Sequence, residues 1–337
     1  MMPSVTPIAV LGCGRIGRMH ARGLARHPGA QLVSVYDVIP GMATETSCEL
    51  GVQAAPSADE VLGNPAIAAV LIATPTPTHV DLIIAAARAG KAVLCEKPID
   101  LDMTRVLECE AAIRGLGRTV MIGFNRRFDP SFRALRHRVQ AGEIGSVEQV
   151  IITSRDPSPP PATYVATSGG LFRDMTIHDF DMARYLVGDI AEVHAFGAVL
   201  VDPAIGEAGD IDSAMILLRS RAGALVHINN SRRCVYGYDQ RMEVFGSAGM
   251  LTAGNRYATT VQSFGPTSTG AADVVLPFFI ERYAEAYAAE ISHFLECVGS
   301  GATPMTSFAD GLEALRIADA AQESLRTGVP VHLDQRV

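Results

Sequence analysis

The stretch Pro7–Val38, PIAVLGCGRIGRMHARGLARHPGAQLVSVYDV, leaves the chain few choices of fold. An apolar, β-rich run breaks at Gly12-Cys13-Gly14, gives way to apolar and small residues at helical spacing, and is followed by a second apolar run ending in Asp37. Gly12, Gly14 and Gly17 therefore make G-x-G-x-x-G in the context that gives the motif meaning, with a predicted strand before it and a predicted helix after it. The glycines permit a tight turn, close approach of a pyrophosphate and close packing of helix on strand. Arg15 and Ile16 share that turn, at a helix N-terminus whose free N–H groups and positive dipole end suit phosphate. Asp37 stands twenty positions beyond Gly17, where a carboxylate accepts hydrogen bonds from the adenosine ribose hydroxyls and repels a 2′-phosphate. Val38, Ile39 and Pro40 offer no arginine to receive that phosphate, so the predicted cofactor is NAD rather than NADP.

The same rhythm continues. AIAAVLIATPTPTH reads as a buried parallel strand stopped by two prolines, HVDLIIAAARAG as an amphipathic helix, and AVLCEKP as another strand. Alternating strand and helix predict a doubly wound parallel sheet. Thr74, Pro75, Thr76 and His79 follow a strand end, where contact with the nicotinamide side of the cofactor competes with a plain loop role. Glu96, Lys97 and Pro98 close a buried strand at the edge where open α/β sheets bind ligands. Lys97 is accordingly read as functional rather than as a surface ion pair, and a cis bond before Pro98 suits the tight turn.

After TVMIGF (119–124) the alternation gives way to longer alternating strands, with hairpin signals at Arg221-Ala222-Gly223 and Ser247-Ala248-Gly249. These predict an open, mainly antiparallel sheet laid out as a meander. Helices including 169–187 would cover one face, and subunit contact the other. The expected fold is thus α/β: a Rossmann domain over 1–123, then an α/β substrate-binding and oligomerisation domain over 124–337 whose C-terminal helices could pack back on the first. At 337 residues, with 48% hydrophobic and 19% charged, two well-buried domains are expected.

Within LFRDMTIHDFDMARY, Asp174, His178 and Asp181 recur at offsets of four and seven, which on an α-helix return to within roughly 40° and 20° of the start. One helix face then carries all three. A metal triad is conceivable from this pattern, but the accompanying lysine and dinucleotide motif make metal-free hydride transfer the simpler reading, and no metal is predicted.

Partners are bounded by charge. A net charge of −8 opposes nucleic-acid binding, and the small basic group Arg126, Arg127, Arg133, Arg136, His137, Arg138 is read as a solvated helix face. No apolar run reaches membrane-spanning length and no signal peptide is evident; with six scattered cysteines read as reduced, the cytoplasm is the expected compartment.

GCGRIGRMH, CEKPID, GFNRRFDPSF, GGLFRDMTIHDFDMARYLVG and YDQRMEVFGSAGML together resemble the glucose-fructose oxidoreductase, inositol dehydrogenase and rhizopine-catabolism family over essentially the whole chain. Within it the stretches are most similar to inositol 2-dehydrogenases. The resemblance implies a usually homotetrameric NAD(P)-dependent sugar or polyol oxidoreductase, with Lys97, Asp174 and His178 as its catalytic set. It implies oxidation of myo-inositol to the 2-keto inosose. Another inositol isomer such as scyllo-inositol, or an aldose, is an alternative substrate, and a non-catalytic NAD-binding sensor is the alternative outside enzymology.

The residue types fit that chemistry. Removing a hydride from a secondary alcohol requires a base for the hydroxyl proton, and an imidazole titrating near pH ~6.5 serves as one. Asp174, one turn before His178, would orient the ring and stabilise the imidazolium. Lys97 would offset charge on the same oxygen. Arg127, Asp156 and Tyr236 are further substrate-binding candidates. Asp181 is assigned to hydroxyl binding or to support of the other side chains, and Tyr164 and Tyr283 carry no distinct role.

Overall fold

The structure, a computed structural model, describes residues 5–334. Two compact units divide the chain: the first takes it up to Phe128 and again over Glu285–Leu315, the second takes Asp129–Ala284 and everything from Arg316 on.

The first unit carries six parallel strands, β1 (Thr6–Leu11), β2 (Ala30–Tyr36), β3 (Gln53–Ala54), β4 (Ala69–Ile72), β5 (Ala92–Cys95) and β6 (Val120–Ile122), in the order β3-β2-β1-β4-β5-β6. β4 and β5 are buried at every position and β1 at all but Pro7, as a parallel sheet covered on both faces demands. The helices are α1 (Arg15–Arg26), α2 (Pro40–Leu50), α3 (Ala58–Gly63), α4 (His79–Arg88) and α5 (Met103–Ile113). The direction of strand order reverses between β1 and β4, the switch point at which doubly wound sheets open a ligand crevice.

In the second unit, helices α6 (Pro130–Gln140), α7 (Ala162–Ser168), α8 (Ile177–Val187), α9 (Pro203–Glu207) and α10 (Phe279–Arg282) accompany a seven-stranded sheet. Its strands are β7 (Val147–Arg155), β8 (Ile190–Ala198), β9 (Ser213–Ser220), β10 (Leu225–Ser231), β11 (Asp239–Gly246), β12 (Gly249–Ala253) and, after a separate hairpin of β13 (Gln262–Phe264) and β14 (Thr269–Ala272), β15 (Val331–His332). The order β12-β11-β7-β10-β9-β8-β15 is antiparallel except for the β7–β10 pair, so the sheet is mainly antiparallel but not the simple meander predicted. Burial along β9 alternates strictly, giving one packed and one open face.

The chain re-enters the first unit through α11 (Ala284–Ser300) and the start of α12 (Phe308–Thr327). Tyr287 on α11 meets the ring of His20 on α1 edge-on at 5.5 Å, and a side chain on Gly23 would collide with Ile291. Beyond α11 the backbone of Thr306 accepts the amide of Ile122 at the sheet edge.

Two local expectations change. The helix predicted over 169–187 is broken: Gly169 and Gly170 both hold φ of 84°, and Phe172–Thr176 form a π turn before α8. Wider i→i+5 turns of this kind often mark functional segments. The basic group is not one solvated face, because Arg126 and Arg127 are buried in a short 3₁₀ turn (Asn125–Phe128) while Arg133, His137 and Arg138 lie exposed on α6.

Candidate active site

Each glycine of the fingerprint has its own geometric reason. Gly12 holds φ of 98°, and a Cβ there would stand 2.5 Å from the carbonyl of Ala73 at the end of β4. At Gly17 a Cβ would stand 1.9 Å from the Gly12 oxygen, so α1 could not seat against the turn. Gly14, by contrast, faces open space, where a pyrophosphate needs the backbone bare. It is the N-cap of α1 with no side-chain cap, so the first-turn amides of Arg15, Ile16 and Gly17 are available to an anion. Asp37 closes β2 with Oδ2 accepting the amide of Cys13 at 2.7 Å and Oδ1 accepting that of Ile39 at 2.8 Å. The turn and the carboxylate that closes β2 are thereby tied together, and the residues fit a dinucleotide.

Across the switch point, Thr74, Pro75 and Thr76 follow β4, with the Thr78 hydroxyl donating to Thr74 Oγ1 at 2.7 Å. His79 is fully buried, with Nδ1 2.8 Å from the Pro98 carbonyl and Nε2 2.8 Å from that of Thr74. Burial lowers its pKa below the usual imidazole value, with the two carbonyls and the charges of Glu96 and Asp100 pulling the other way. Its contacts are with the loops, so it braces the β4 and β5 exits against each other. The Lys97-Pro98 bond is cis. Glu96 Oε1 meets His20 Nε2 at 2.8 Å, and its Oε2 accepts the Lys97 amide at 3.3 Å. Burial alone would raise the Glu96 pKa, but the His20 bond and the charges of His20, Lys97 and His79 outweigh it and hold the carboxylate ionised. Lys97 therefore leaves β5 from a backbone fixed on both sides.

In the second unit, Asp174 lies within the π turn. Its Oδ1 accepts the Tyr164 hydroxyl at 2.9 Å and its Oδ2 accepts Arg232 Nη2 at 3.0 Å. Arg232 also faces Asp156 at 3.5 Å, so Asp156, Asp174 and Tyr164 share one polar cluster. His178 sits half-buried in the first turn of α8. The residues around it pin that turn to the parallel strand pair. Asp179 accepts from Ser154 on β7 and from Asn230 on β10, and Thr176 donates to Asn230 at 2.6 Å.

Other candidates fall elsewhere. Arg127 commits Nη1 to the Met305 carbonyl at 2.7 Å and Nη2 to Asp310 at 3.0 Å, a buried brace within the first unit. Tyr236 donates to Asp239 at 2.7 Å and accepts from Arg155 at 2.9 Å, and burial together with Asp239 pushes its pKa up to about 12, keeping the phenol protonated. Asp181 is fully buried rather than on an accessible face with Asp174 and His178, because the π turn changes the helical phase and α8 turns that side inward. Tyr283 is a core residue whose hydroxyl donates to Gln240 at 3.0 Å. Among the described residues no group of three metal-ligating side chains gathers, and no helix is long and apolar enough to cross a membrane.

Sequence reasoning passed over Arg232, Asp179 and His20. Asn229-Asn230-Ser231-Arg232, a polar run closing an apolar strand, was the one signal available for the first.

A sheet in this order, a bare-backbone turn at a helix N-terminus and a carboxylate closing the second strand define a dinucleotide-binding protein of the Rossmann class. More particularly, the chain belongs to the glucose-fructose oxidoreductase, inositol dehydrogenase and MocA family: residues 6–124 match "Oxidoreductase family, NAD-binding Rossmann fold" and residues 132–252 match the "GFO/IDH/MocA C-terminal domain". It is an NAD-dependent oxidoreductase. Its relatives include the inositol 2-dehydrogenase of Rhizobium meliloti, 48% identical over 94% of this chain and 96% of that protein. The myo-inositol dehydrogenase structure from Corynebacterium glutamicum superposes with a TM-score of 0.95 at 47% identity, covering 98% of this chain and 100% of that one. A scyllo-inositol dehydrogenase from Lactobacillus casei, solved with NAD(H) and scyllo-inositol, gives 0.91 at 30% identity, with 98% and 99% covered.

Proposed function

We propose that the protein oxidises a ring hydroxyl of an inositol, myo-inositol foremost, to the corresponding keto-inositol with NAD. The observation that carries this is the Asp174 carboxylate, held on one oxygen by Tyr164 and on the other by Arg232, in the turn just before His178. Full-length similarity to inositol dehydrogenases supports the substrate class.

Bound NAD supplies the acceptor for the hydride that leaves the carbinol carbon. His178 takes the hydroxyl proton as the carbon–oxygen double bond forms, and Asp174 holds the ring and balances the imidazolium. Lys97 donates to the same oxygen and offsets the charge developing on it. Asp156 accepts from a neighbouring substrate hydroxyl, with Tyr236 as a further contact, while Arg127 serves through its buried brace to Met305 and Asp310. Arg15, Ile16, Asp37, Thr74, Pro75, Thr76, His79 and Glu96 hold or brace the cofactor, with Asp37 favouring NAD over NADP. In this reading residues 1–123 serve the dinucleotide and 124–337 the substrate and the oligomer.

The open face of the large sheet supports a homotetramer. Phe196, Met215, Leu217, Leu225 and Ile151 are exposed on adjacent strands, in an arrangement that invites a second copy of the same sheet. Five of the six cysteines are buried and all are free, which suits a cytoplasmic enzyme.

The test is a panel of myo-inositol, scyllo-inositol, other isomers and glucose, each with NAD and NADP, read at 340 nm. Reduction of NAD by myo-inositol, lost in Lys97→Ala and severely slowed in His178→Ala, is the expected result. Preference for scyllo-inositol would select the alternative that the Lactobacillus relative represents. Tight NAD binding without turnover of any polyol would overturn the enzyme reading in favour of a sensor.

A further inference from the structure

Arg232 follows β10 and is 2% exposed, one of the largest fully buried side chains of the protein. A guanidinium is seldom taken from water unless its charge and its donors are answered. Here Nη2 lies 3.0 Å from Asp174 Oδ2, Nη1 lies 3.5 Å from Asp156 Oδ2, and Asp210 adds a third carboxylate within electrostatic reach, so the charge is answered although Nε has no hydrogen-bond partner. Burial works against the charge, yet these carboxylates hold the guanidinium pKa above its ordinary value, so the group is a permanent cation.

Its backbone is as constrained as its side chain. β7 and β10 run parallel with Arg155 opposite Ser231, and the Asp156 amide donates to the Ser231 carbonyl at 2.9 Å. The Arg232 amide donates to Asp212 at 2.8 Å. Asp156 and Arg232 therefore leave the same end of two paired strands at the same level, and the guanidinium spans from one to the π turn that carries Asp174. A lysine ammonium would be a single point at that place, whereas the planar fork reaches two carboxylates at once.

We propose that Arg232 is a positioning residue for the oxidation: it locks Asp174 and Asp156 into one rigid pair, so that Asp174 orients His178 while Asp156 is presented to a substrate hydroxyl. This rests on the roles given above to Asp174 and His178. Tyr164 completes the lock on the other oxygen of Asp174, and because it is itself half-exposed it can be altered without disturbing the core.

Arg232→Ala, Arg232→Lys and Tyr164→Phe are compared with the parent for kcat, KM, NADH affinity and melting temperature. In Arg232→Ala kcat falls about 100-fold, in line with the effect of ångström-scale misplacement of a catalytic group. KM rises as Asp156 loosens, NADH affinity stays within about threefold, and added millimolar guanidinium restores part of kcat. Arg232→Lys is intermediate, and Tyr164→Phe lowers kcat about tenfold with an unchanged melting temperature. Should Arg232→Ala fail to fold, Arg232→Lys and Tyr164→Phe decide, since both must lower kcat more than they alter melting. Full kcat in the folded variants, or guanidinium that restores melting temperature without kcat, overturns the positioning role and leaves the dehydrogenase standing. A parent inactive on every alcohol of the panel takes both down.

Discussion

Gly17→Ala tests the cofactor turn most directly. A Cβ at this position falls 1.9 Å from the Gly12 oxygen and 2.8 Å from the Gly12 carbonyl carbon. Non-bonded carbons settle near 3.5 Å, so helix and turn must part by roughly 1.5 Å. Both atoms are backbone, and no side chain can swing clear. The turn cannot retreat either, because a Cβ on Gly12 would already stand 2.5 Å from the Ala73 carbonyl; that side is filled. The displacement thus falls on the first turn of α1, whose amides are the proposed phosphate donors. A hydrogen bond to a charged group is worth about 1.5–3 kcal/mol, and loss of one weakens NAD roughly ten- to hundredfold. The overpacking adds about 1–3 kcal/mol of destabilisation. Gly14→Ala is the control: its Cβ meets no protein atom within 4 Å, so melting is unchanged while the methyl obstructs the pyrophosphate. NADH fluorescence titration and calorimetry measure the two effects, and the absence of tryptophan removes indole emission from the titration. Gly17→Ala that binds NADH within about threefold of the parent and melts within about 1 °C of it refutes the reasoning.

Other perturbations follow from the same geometry. On the proposed role of Asp37, Asp37→Ala removes a carboxylate that would repel a 2′-phosphate, and should raise the NADP-to-NAD ratio of kcat/KM by at least about tenfold, one charge interaction of ~1.4 kcal/mol; an unchanged ratio contradicts the assignment of that strand end. Glu290 on α11 is fully buried, and burial, followed by the charge of Glu96, holds its pKa well above the carboxylate range. Because the folded value is the raised one, its stabilising contribution is complete below the unfolded value and is lost as pH rises through the folded one. Glu290→Gln should therefore gain on the parent with increasing pH above about 4.3, by up to ~1.4 kcal/mol per unit until Glu290 ionises, read from urea midpoints. The Asp129–Arg282 pair is buried on both sides, and Asp129 also caps α6 through the amides of Ser131 and Phe132. Asp129→Ala should cost about 3–5 kcal/mol in denaturant unfolding; a loss under about 1 kcal/mol removes that brace from the account.

What the sequence could reveal followed the range of each signal. The Rossmann half was legible because every strand–turn–helix step is written within a dozen or so residues, from the glycines of 12–17 to the Glu96-Lys97-Pro98 exit. The strands of the second half were legible too, but alternation identifies a strand and not its neighbour. The parallel partnership of β7 with β10 was therefore hidden. The π turn escaped because a five-residue change of winding hardly alters an apolar rhythm. Arg127 looked exposed since its partner Asp310 lies 183 positions away, and Arg232 looked like one more basic residue until the strands that place it beside Asp156 and Asp174 were paired.

The path of the chain through the first unit has a further consequence for how this protein is made. Five of its helices and all six of its strands are synthesised first, but the partner that covers the His20 and Gly23 side of α1 is α11, which is translated only after residues 129–284 of the second unit. A nascent chain halted anywhere before that point carries a nucleotide fold with an uncovered flank. Completion of the cofactor-binding body is thus deferred to the last stage of translation, and residues 1–128 alone make an incomplete module.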